Sequence, residues 1–202
     1  MSNRGKLIVV SGPSGAGKST VISKVMEENN NIRFSISATT RAPRGSEKDG
    51  VEYRFVDTAA FEQMIADDEL LEYAKYVDNY YGSPKAPVYE NLEKGHDVIF
   101  DIEVQGAMQI KEKCPEAILI FIIPSSFSEI ERRLRGRGSD AEDKILKRIA
   151  TSKGEYKVAS NYDYIVINDS ADVAARELNS IITAEKCRYS DRQNYITEVC
   201  SL

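Results

Sequence analysis

The sequence predicts an α/β fold, with a parallel sheet at its core and helices on the sheet's flanks, and three observations lead there. Its apolar segments are short and continuous, not alternating, as strands buried on both faces read. Helix-like patterns fall between them. A glycine-rich loop joins the first apolar run to the first helix-like segment, which is the setting a phosphate-binding P-loop requires.

The strands expected in this core are Leu7–Val10 (LIVV), Val98–Phe100 (VIF), Ile118–Ile123 (ILIFII) and Tyr164–Ile167 (YIVI). The run from Ala117 to Pro124 is the longest apolar stretch and is too short to span a bilayer. The first helix is expected over Ser19–Glu28, where Val21, Ile22, Val25 and Met26 favour one face. Ser126-x-x-Glu129 and Ser139-x-x-Glu142 each fit a capping box and predict two further helix starts. A last helix is expected from about Ala171 to about Arg192.

Two regions break the βα rhythm. From about Ile32 to Tyr81 the pattern is polar and strand-like, with Phe34, Tyr53, Phe55, Phe61, Tyr73, Tyr76, Tyr80 and Tyr81 among Gly45, Gly50 and Gly82. It predicts a small inserted β-rich subdomain over about 34–83. A charged insertion over about 127–159 reads as mostly helical. The remaining segments, about 1–33, 84–126 and 160–202, form the expected core.

At 202 residues with net charge −5, the chain suits one sizeable core and disfavours non-specific attraction to nucleic acid or anionic membrane. Cys114, Cys187 and Cys200 are odd in number and widely spaced, which predicts free thiols and a cytoplasmic location. The single histidine, His96, has no cysteine beside it, so a structural zinc site is not expected and a turn or surface position is. The opening MSNRGKLIVV is too short in apolar residues for a secretion signal. Oligomeric state is left open.

Gly12-Pro13-Ser14-Gly15-Ala16-Gly17-Lys18-Ser19 is a complete G-x-x-x-x-G-K-S. Glycines let backbone N–H groups turn inward around phosphate oxygens, and the helix N-terminus adds partial positive charge. Lys18 is expected to reach the β- and γ-phosphates and Ser19 to ligate Mg²⁺. Asp101 ends the VIFD run like a Walker-B acid and is the second expected metal-site residue. The alternative is a chance match in a glycine-rich turn. The motif does not say what receives the phosphate, because switches, motors and kinases share it.

Several further motifs bear on the acceptor: Ser35-Ile-Ser37-Ala-Thr-Thr-Arg41-Ala-Pro-Arg44-Gly45, Asp49-Gly50-Val-Glu-Tyr53-Arg-Phe55, Glu69-Leu-Leu-Glu72-Tyr73-Ala74, Asn79-Tyr80-Tyr81-Gly82-Ser83 and Asp101-Ile-Glu103-Val-Gln105-Gly106. Together they closely resemble the GMP-binding region of guanylate kinases. Arg133-Leu-Arg135-Gly-Arg137-Gly resembles that family's lid, and Ile167-Asn168-Asp169 its late strand end. The resemblance follows family order across nearly the whole chain. It implies a P-loop NTPase-type core with a nucleoside-monophosphate-binding subdomain and a helical lid. The implied reaction is Mg²⁺-dependent transfer of a phosphoryl group from ATP to GMP. The implied ATP-binding residues are Gly12 through Ser19, Thr20 and Asn168. For GMP they are Ser37, Arg41, Arg44, Tyr53, Glu72, Tyr81, Ser83, Asp101, Glu103 and Gly106. Lys18, Arg41, Arg133, Arg137 and Arg148 are the implied catalytic cations.

The residue chemistry suits these roles. Arginine offers phosphate a planar fork of charge-assisted hydrogen bonds. A carboxylate accepts from guanine N1–H and its amino group together, as expected of Glu72, while Ser37 and Ser83 suit the base's O6. Taken from composition alone, Arg41 and Arg44 fit a solvated turn equally well, Glu72 an exposed strand, and the Arg133–Arg137 run a solvated helix end. Two departures from the family pattern are Ser139, where many relatives have Thr, and Ser170, where an acid is commoner. A kinase for another base, or a non-catalytic module of the same fold, are the rival readings; the intact Gly17-Lys18-Ser19 speaks against the second.

Overall fold

The computed structural model describes residues 4–76, 78–136 and 142–200, apart from the side chains at 143 and 144. Five parallel strands, β1 (Leu7–Ser11), β2 (Ile32–Phe34), β7 (Asp97–Asp101), β8 (Ile118–Ile123) and β9 (Tyr164–Ile167), form one sheet in the order β2-β7-β1-β8-β9. Four short strands, β3 (Ala38–Thr39), β4 (Arg54–Phe55), β5 (Leu70–Tyr76) and β6 (Asn79–Pro84), form a second in the order β4-β3-β6-β5.

The central strands β7, β1 and β8 are buried on both faces, which is why they read as continuous apolar runs. The apolar run YIVI of β9, expected to be buried on both faces, instead lies at the sheet edge with Ile165 and Ile167 exposed. Ile8 and Val10 of β1 pack to one side, with Val21, Ile22 and Val25 of α1 (Lys18–Glu28) and Leu178 and Ile182 of α7 (Ala171–Glu185). Leu7 and Val9 pack to the other, with Val88 and Leu92 of α3 (Lys85–Glu93) and Ala107 and Ile110 of α4 (Val104–Lys113). The parallel register sets Val10 beside Asp101 and Ser11 beside Phe121. The strand ends therefore gather at one carboxyl edge, where open α/β sheets hold their ligands.

The strand-like stretch from Ile32 contains more than strands. Ile32–Phe34 pairs with β7 in the larger sheet. Thr58–Ala66 is a helix, α2, capped by Asp57, whose side chain accepts the Ala60 N–H at 2.7 Å. Phe61, Met64 and Ile65 have helical spacing and cover Ala38 and Leu70 of the small sheet. Phe61 belongs to that face, although its aromatic type suggested a strand.

The 127–159 region is helical as expected: α5 (Phe127–Gly136), α6 (Glu142–Glu155) and a 3₁₀ turn (Tyr156–Asn161) share a small core of Ile130, Leu134, Ile145 and Ile149. Ser126 caps α5 by accepting the Glu129 N–H at 3.3 Å. Ser139 of the second capping box lies outside the described residues. The expected last helix is two helices. α7 ends at Glu185, and α8 (Tyr189–Cys200) follows with no buried residue. Buried Glu185 takes the Arg188 guanidinium and the Tyr164 hydroxyl, which tie the turn down where the core-facing stripe runs out. No helix among the described residues is long and apolar enough to cross a membrane.

Candidate functional site

The loop from Gly12 to Ser19 joins β1 to α1. Gly17 has φ 85°, a conformation that L side chains rarely adopt, and a Cβ there would stand 2.5 Å from Asn168 Nδ2. That amide donates to the Ala16 carbonyl at 2.7 Å, so Asn168, just past β9, shapes the loop from behind. Lys18 Nζ donates to the Gly12 carbonyl at 2.8 Å and lies 4.0 Å from the Asp101 carboxylate. Ser19 Oγ donates to Asp101 Oδ2 at 2.8 Å. The first turn of α1 carries no acidic residue, which leaves its positive end uncancelled. Ser14, Gly15, Gly17, Lys18, Ser19, Thr20 and Arg148 line a cavity of about 220 Å³ here.

The helical region rests on this loop. A Cβ on Gly15 would lie 3.2 Å from Leu134 Cγ, so α5 packs directly against it. Arg133 donates to the Ala16 carbonyl at 3.2 Å and the Asn168 carbonyl at 2.9 Å, and Glu129 takes its Nε–H at 2.7 Å. Arg148 of α6 donates to Ser14 Oγ, from Nε at 2.9 Å and from Nη2 at 2.5 Å.

A second cavity, of about 340 Å³, opens between the small sheet and the carboxyl end of β7. Ser37, Tyr53, Glu72, Tyr81, Asp101, Glu103 and Gly106 all line it. Glu72 is on β5 directly opposite Ser83 on β6, just past a bulge between Leu70 and Glu72. It is 6% exposed, and Ser83 Oγ donates to its Oε1 at 2.6 Å. A Cβ on Gly106 would stand 2.7 Å from its Oε2, so glycine at 106 leaves the room this oxygen needs. Burial pushes the Glu72 carboxyl above its usual range, against the pull of Ser83 and Lys113. Glu72 is thus not the exposed strand glutamate that composition alone suggests.

Arg41 is 9% exposed, with its guanidinium 5.3 Å from the centre of the Tyr53 ring and 5.9 Å from that of Phe55. It is held by Glu47, and the Tyr81 hydroxyl lies alongside. Tyr53 has its hydroxyl pKa raised by burial and so remains a proton donor.

The structure therefore gathers most of the expected residues into two cavities that meet at one border, the Ser19–Asp101 contact. Among the described residues, eight of those expected stand apart from these linings: Gly12, Pro13, Ala16, Arg41, Arg44, Ser83, Arg133 and Asn168. The Arg44 side chain is exposed, Arg133 is turned onto loop carbonyls, and Pro13 serves the loop's own turn, its carbonyl accepting from Ala16 N–H at 3.0 Å. Arg137 lies outside the described residues. Sequence reasoning missed Glu47, Glu129 as the clamp of Arg133, and Glu155. The i,i+4 spacing of Glu129 and Arg133 could have shown the clamp. Glu155, at the end of α6, sits beside the Ser14 N–H and the Lys18 charge, and burial raises its pKa despite both. No local pattern marks it.

Two oxygen ligands, from Ser19 and Asp101, meet here, and no cluster of three or more His, Cys, Asp or Glu able to hold a metal occurs among the described residues. Such a pair fits Mg²⁺, which keeps waters and substrate phosphates in its shell, better than a cation needing a full protein cage.

The family model for guanylate kinase matches residues 4–185. The chain is 48% identical to a curated guanylate kinase of Clostridioides difficile (strain 630), over 96% of this chain and 95% of that one. It is 49% identical to one from Latilactobacillus sakei subsp. sakei (strain 23K), over 93% of each. The crystal structure of guanylate kinase from Anaplasma phagocytophilum superposes with a TM-score of 0.75 at 32% identity, covering 92% of this chain and 88% of that chain.

Proposed function

The chain belongs to the guanylate kinase family and transfers the γ-phosphoryl group of ATP to GMP, and from that premise we propose how its residues divide the work. The β1–α1 loop with Lys18, Ser19 and Thr20 holds the ATP phosphates. The cavity over β5 and β6 holds GMP. Asp101 stands between, and the common border of the two cavities at that residue is the observation that carries the assignment.

Glu72 accepts from guanine N1–H and the exocyclic amino group, while Ser83 holds the carboxylate by donating to its Oε1. Ser37 and Gly106 complete the wall around the base. Arg41, Tyr53 and Tyr81 receive the GMP phosphate, and Arg44 joins them by swinging in from solvent. The acceptor is a phosphate oxygen anion, so no side chain has to remove a proton. The chemistry is positioning plus charge stabilisation. Lys18 and Arg148 flank the transferring group, and Arg133 and Arg137 complete the cationic lid. Closing the lid over the site keeps water from competing as acceptor.

Ser19 and Asp101 would hold Mg²⁺, which when bound neutralises charge on the β- and γ-phosphates. Cys114, Cys187 and Cys200 are free thiols, which suits a reducing compartment and a cytoplasmic enzyme. The test is a coupled ADP-release assay run with GMP, AMP, CMP and UMP in turn, with and without chelator. Turnover confined to GMP and lost with chelator is the expected result; comparable turnover with AMP would overturn the role given to Glu72.

A further inference from the structure

Arg41 is assigned above to the acceptor phosphate, yet its hydrogen bonds run to its own chain. Nη1 donates to Glu47 Oε2 at 2.9 Å and to the Ala42 carbonyl at 2.8 Å, and Nη2 donates to Glu47 Oε1 at 3.0 Å. A guanidinium has five N–H groups. These three bonds engage both hydrogens of Nη1 and one of Nη2. The Nε–H and the second Nη2–H form another two-pronged fork on the edge away from Glu47, with the Tyr81 hydroxyl lying alongside the guanidinium.

Two accounts of Glu47 differ in sign. As a stand-in for phosphate it would have to leave when GMP arrives. As an anchor it would stay. The anchor account fits the local structure. The Glu47 carboxylate also accepts the Arg44 N–H at 2.8 Å, and the Glu47 N–H donates back to the Arg44 carbonyl at 3.0 Å, so the carboxylate is built into the turn it closes. Leaving would break three bonds to the carboxylate at once. The guanidinium that Glu47 holds is 9% exposed and packs beside the Tyr53 and Phe55 rings, 5.3 Å and 5.9 Å from their centres. Arg41 and the Arg44 N–H hold the Glu47 carboxyl below its usual range, so it is ionised at neutral pH.

We infer that Glu47 is a positioning residue for the acceptor: it grips one edge of Arg41 so that the opposite fork is aimed at the GMP phosphate before GMP binds. This rests on the assignment of Arg41 to that phosphate, and the experiment separates the two claims. GMP and guanosine affinities are measured by calorimetry, and kcat, KM for GMP and KM for ATP by coupled assay. The proteins are wild type, Glu47→Gln, Glu47→Asp, Arg41→Ala and the Arg41→Ala/Glu47→Gln double variant.

Glu47→Gln should raise Kd and KM for GMP roughly three- to tenfold, the effect of leaving one long side chain to be ordered on binding. Guanosine affinity, kcat, KM for ATP and Tm should stay at wild-type values, since guanosine has no phosphate for Arg41 to meet. Glu47→Asp should recover part of the loss, and Glu47→Gln should add nothing once Arg41 is gone. Tighter GMP binding by Glu47→Gln would overturn the inference in favour of a stand-in. Unchanged GMP affinity, or equal losses for GMP and guanosine, would overturn it in favour of a purely structural turn. Full GMP affinity in Arg41→Ala is a separate result: it removes the phosphate role of Arg41 itself, and the inference with it.

Discussion

The two cavities are built from different materials. Around the proposed site of the ATP phosphates the chain offers mostly backbone: a glycine at φ 85°, carbonyls that take Lys18, Asn168 and Arg133, and the N-terminus of α1. Around the proposed GMP site it offers side chains from Ser37, Tyr53, β5, β6 and the segment after β7, some of them held by another side chain. Glu72 is held by Ser83, and Arg41 by Glu47. A backbone cradle is rigid and generic, and it can serve any triphosphate. A side-chain cradle can tell one base from another, but its precision depends on second partners.

The largest effect should come from the generic side. Lys18→Ala removes a cation aimed at the transferring group and should lower kcat by roughly 10²–10³-fold, as loss of one preorganised donor does elsewhere. Tm should hold, because Lys18 makes one hydrogen bond to a carbonyl and packs into none of the apolar clusters. A variant with most of its kcat left would mean that transition-state charge is carried elsewhere.

On the selective side, Glu72→Gln keeps shape but turns one acceptor into a donor. The kcat/KM for GMP should fall by roughly 10²-fold, since hydrogen bonds to a charged group contribute about 1.5–3 kcal/mol each. KM for ATP should not move. Protonation should act in the same way as the substitution. Burial raises the Glu72 pKa, so the ionised form that guanine needs is lost on acidification sooner than for an ordinary carboxylate. For stability the sign is opposite: a raised carboxylate favours the fold below its unfolded pKa, and this is lost as pH rises through the folded value. The pH profile of kcat/KM should show an acid limb that Glu72→Gln lacks. An identical limb in both proteins would assign it to another group.

The contrast also explains what the sequence could disclose. A backbone cradle needs consecutive residues, so Gly12–Ser19 is legible as one motif with its strand and helix. Buried parallel strands are legible for the same local reason. The acceptor site is spread over segments far apart in sequence, and each of its residues has a bland local meaning. Glu72 looks like a surface glutamate until β6 places Ser83 across from it. Resemblance to a family supplied what spacing could not. Even so, Glu47 and Glu155 stayed hidden, because a supporting carboxylate is recognisable only when its partner's position is known. The helix over Thr58–Ala66 was masked by aromatics that fit a strand equally well. The break after Glu185 was masked because both flanking segments are helical.

Gly106→Ala probes the selective side with less force. Its Cβ would press to 2.7 Å from Glu72 Oε2, so the carboxylate must shift from the position in which Ser83 holds it. Overpacking of this kind costs about 1–3 kcal/mol, and kcat/KM for GMP should drop roughly tenfold with kcat much less affected. A drop in kcat alone would mean that residue 106 acts through the core helix α4 and not through the base.

The smallest effect should be at the clamp of Arg133, where the two kinds of cradle meet. Glu129 grips Arg132 and Arg133 together, and those two guanidiniums bring its carboxyl down to about 2. A depressed carboxylate lends its support above the ordinary carboxylate range and loses it as pH falls toward that low value. Over the range in which Glu72 titrates, Glu129 therefore stays ionised, and the two carboxylates are separable by pH. Glu129→Gln leaves Arg133 its bonds to the Ala16 and Asn168 carbonyls. Two of three anchors remain, so kcat should fall by roughly two- to threefold, in keeping with a half-buried ion pair, and the fall should shrink as salt is added. KM for GMP should be unchanged, and the acid limb should be that of wild type. A large, salt-insensitive fall in kcat would show that Arg133 relies on Glu129 far more than on the loop carbonyls. The donor side would then depend on side-chain partners much as the acceptor side does, and the distinction between the two cradles would fail at the lid.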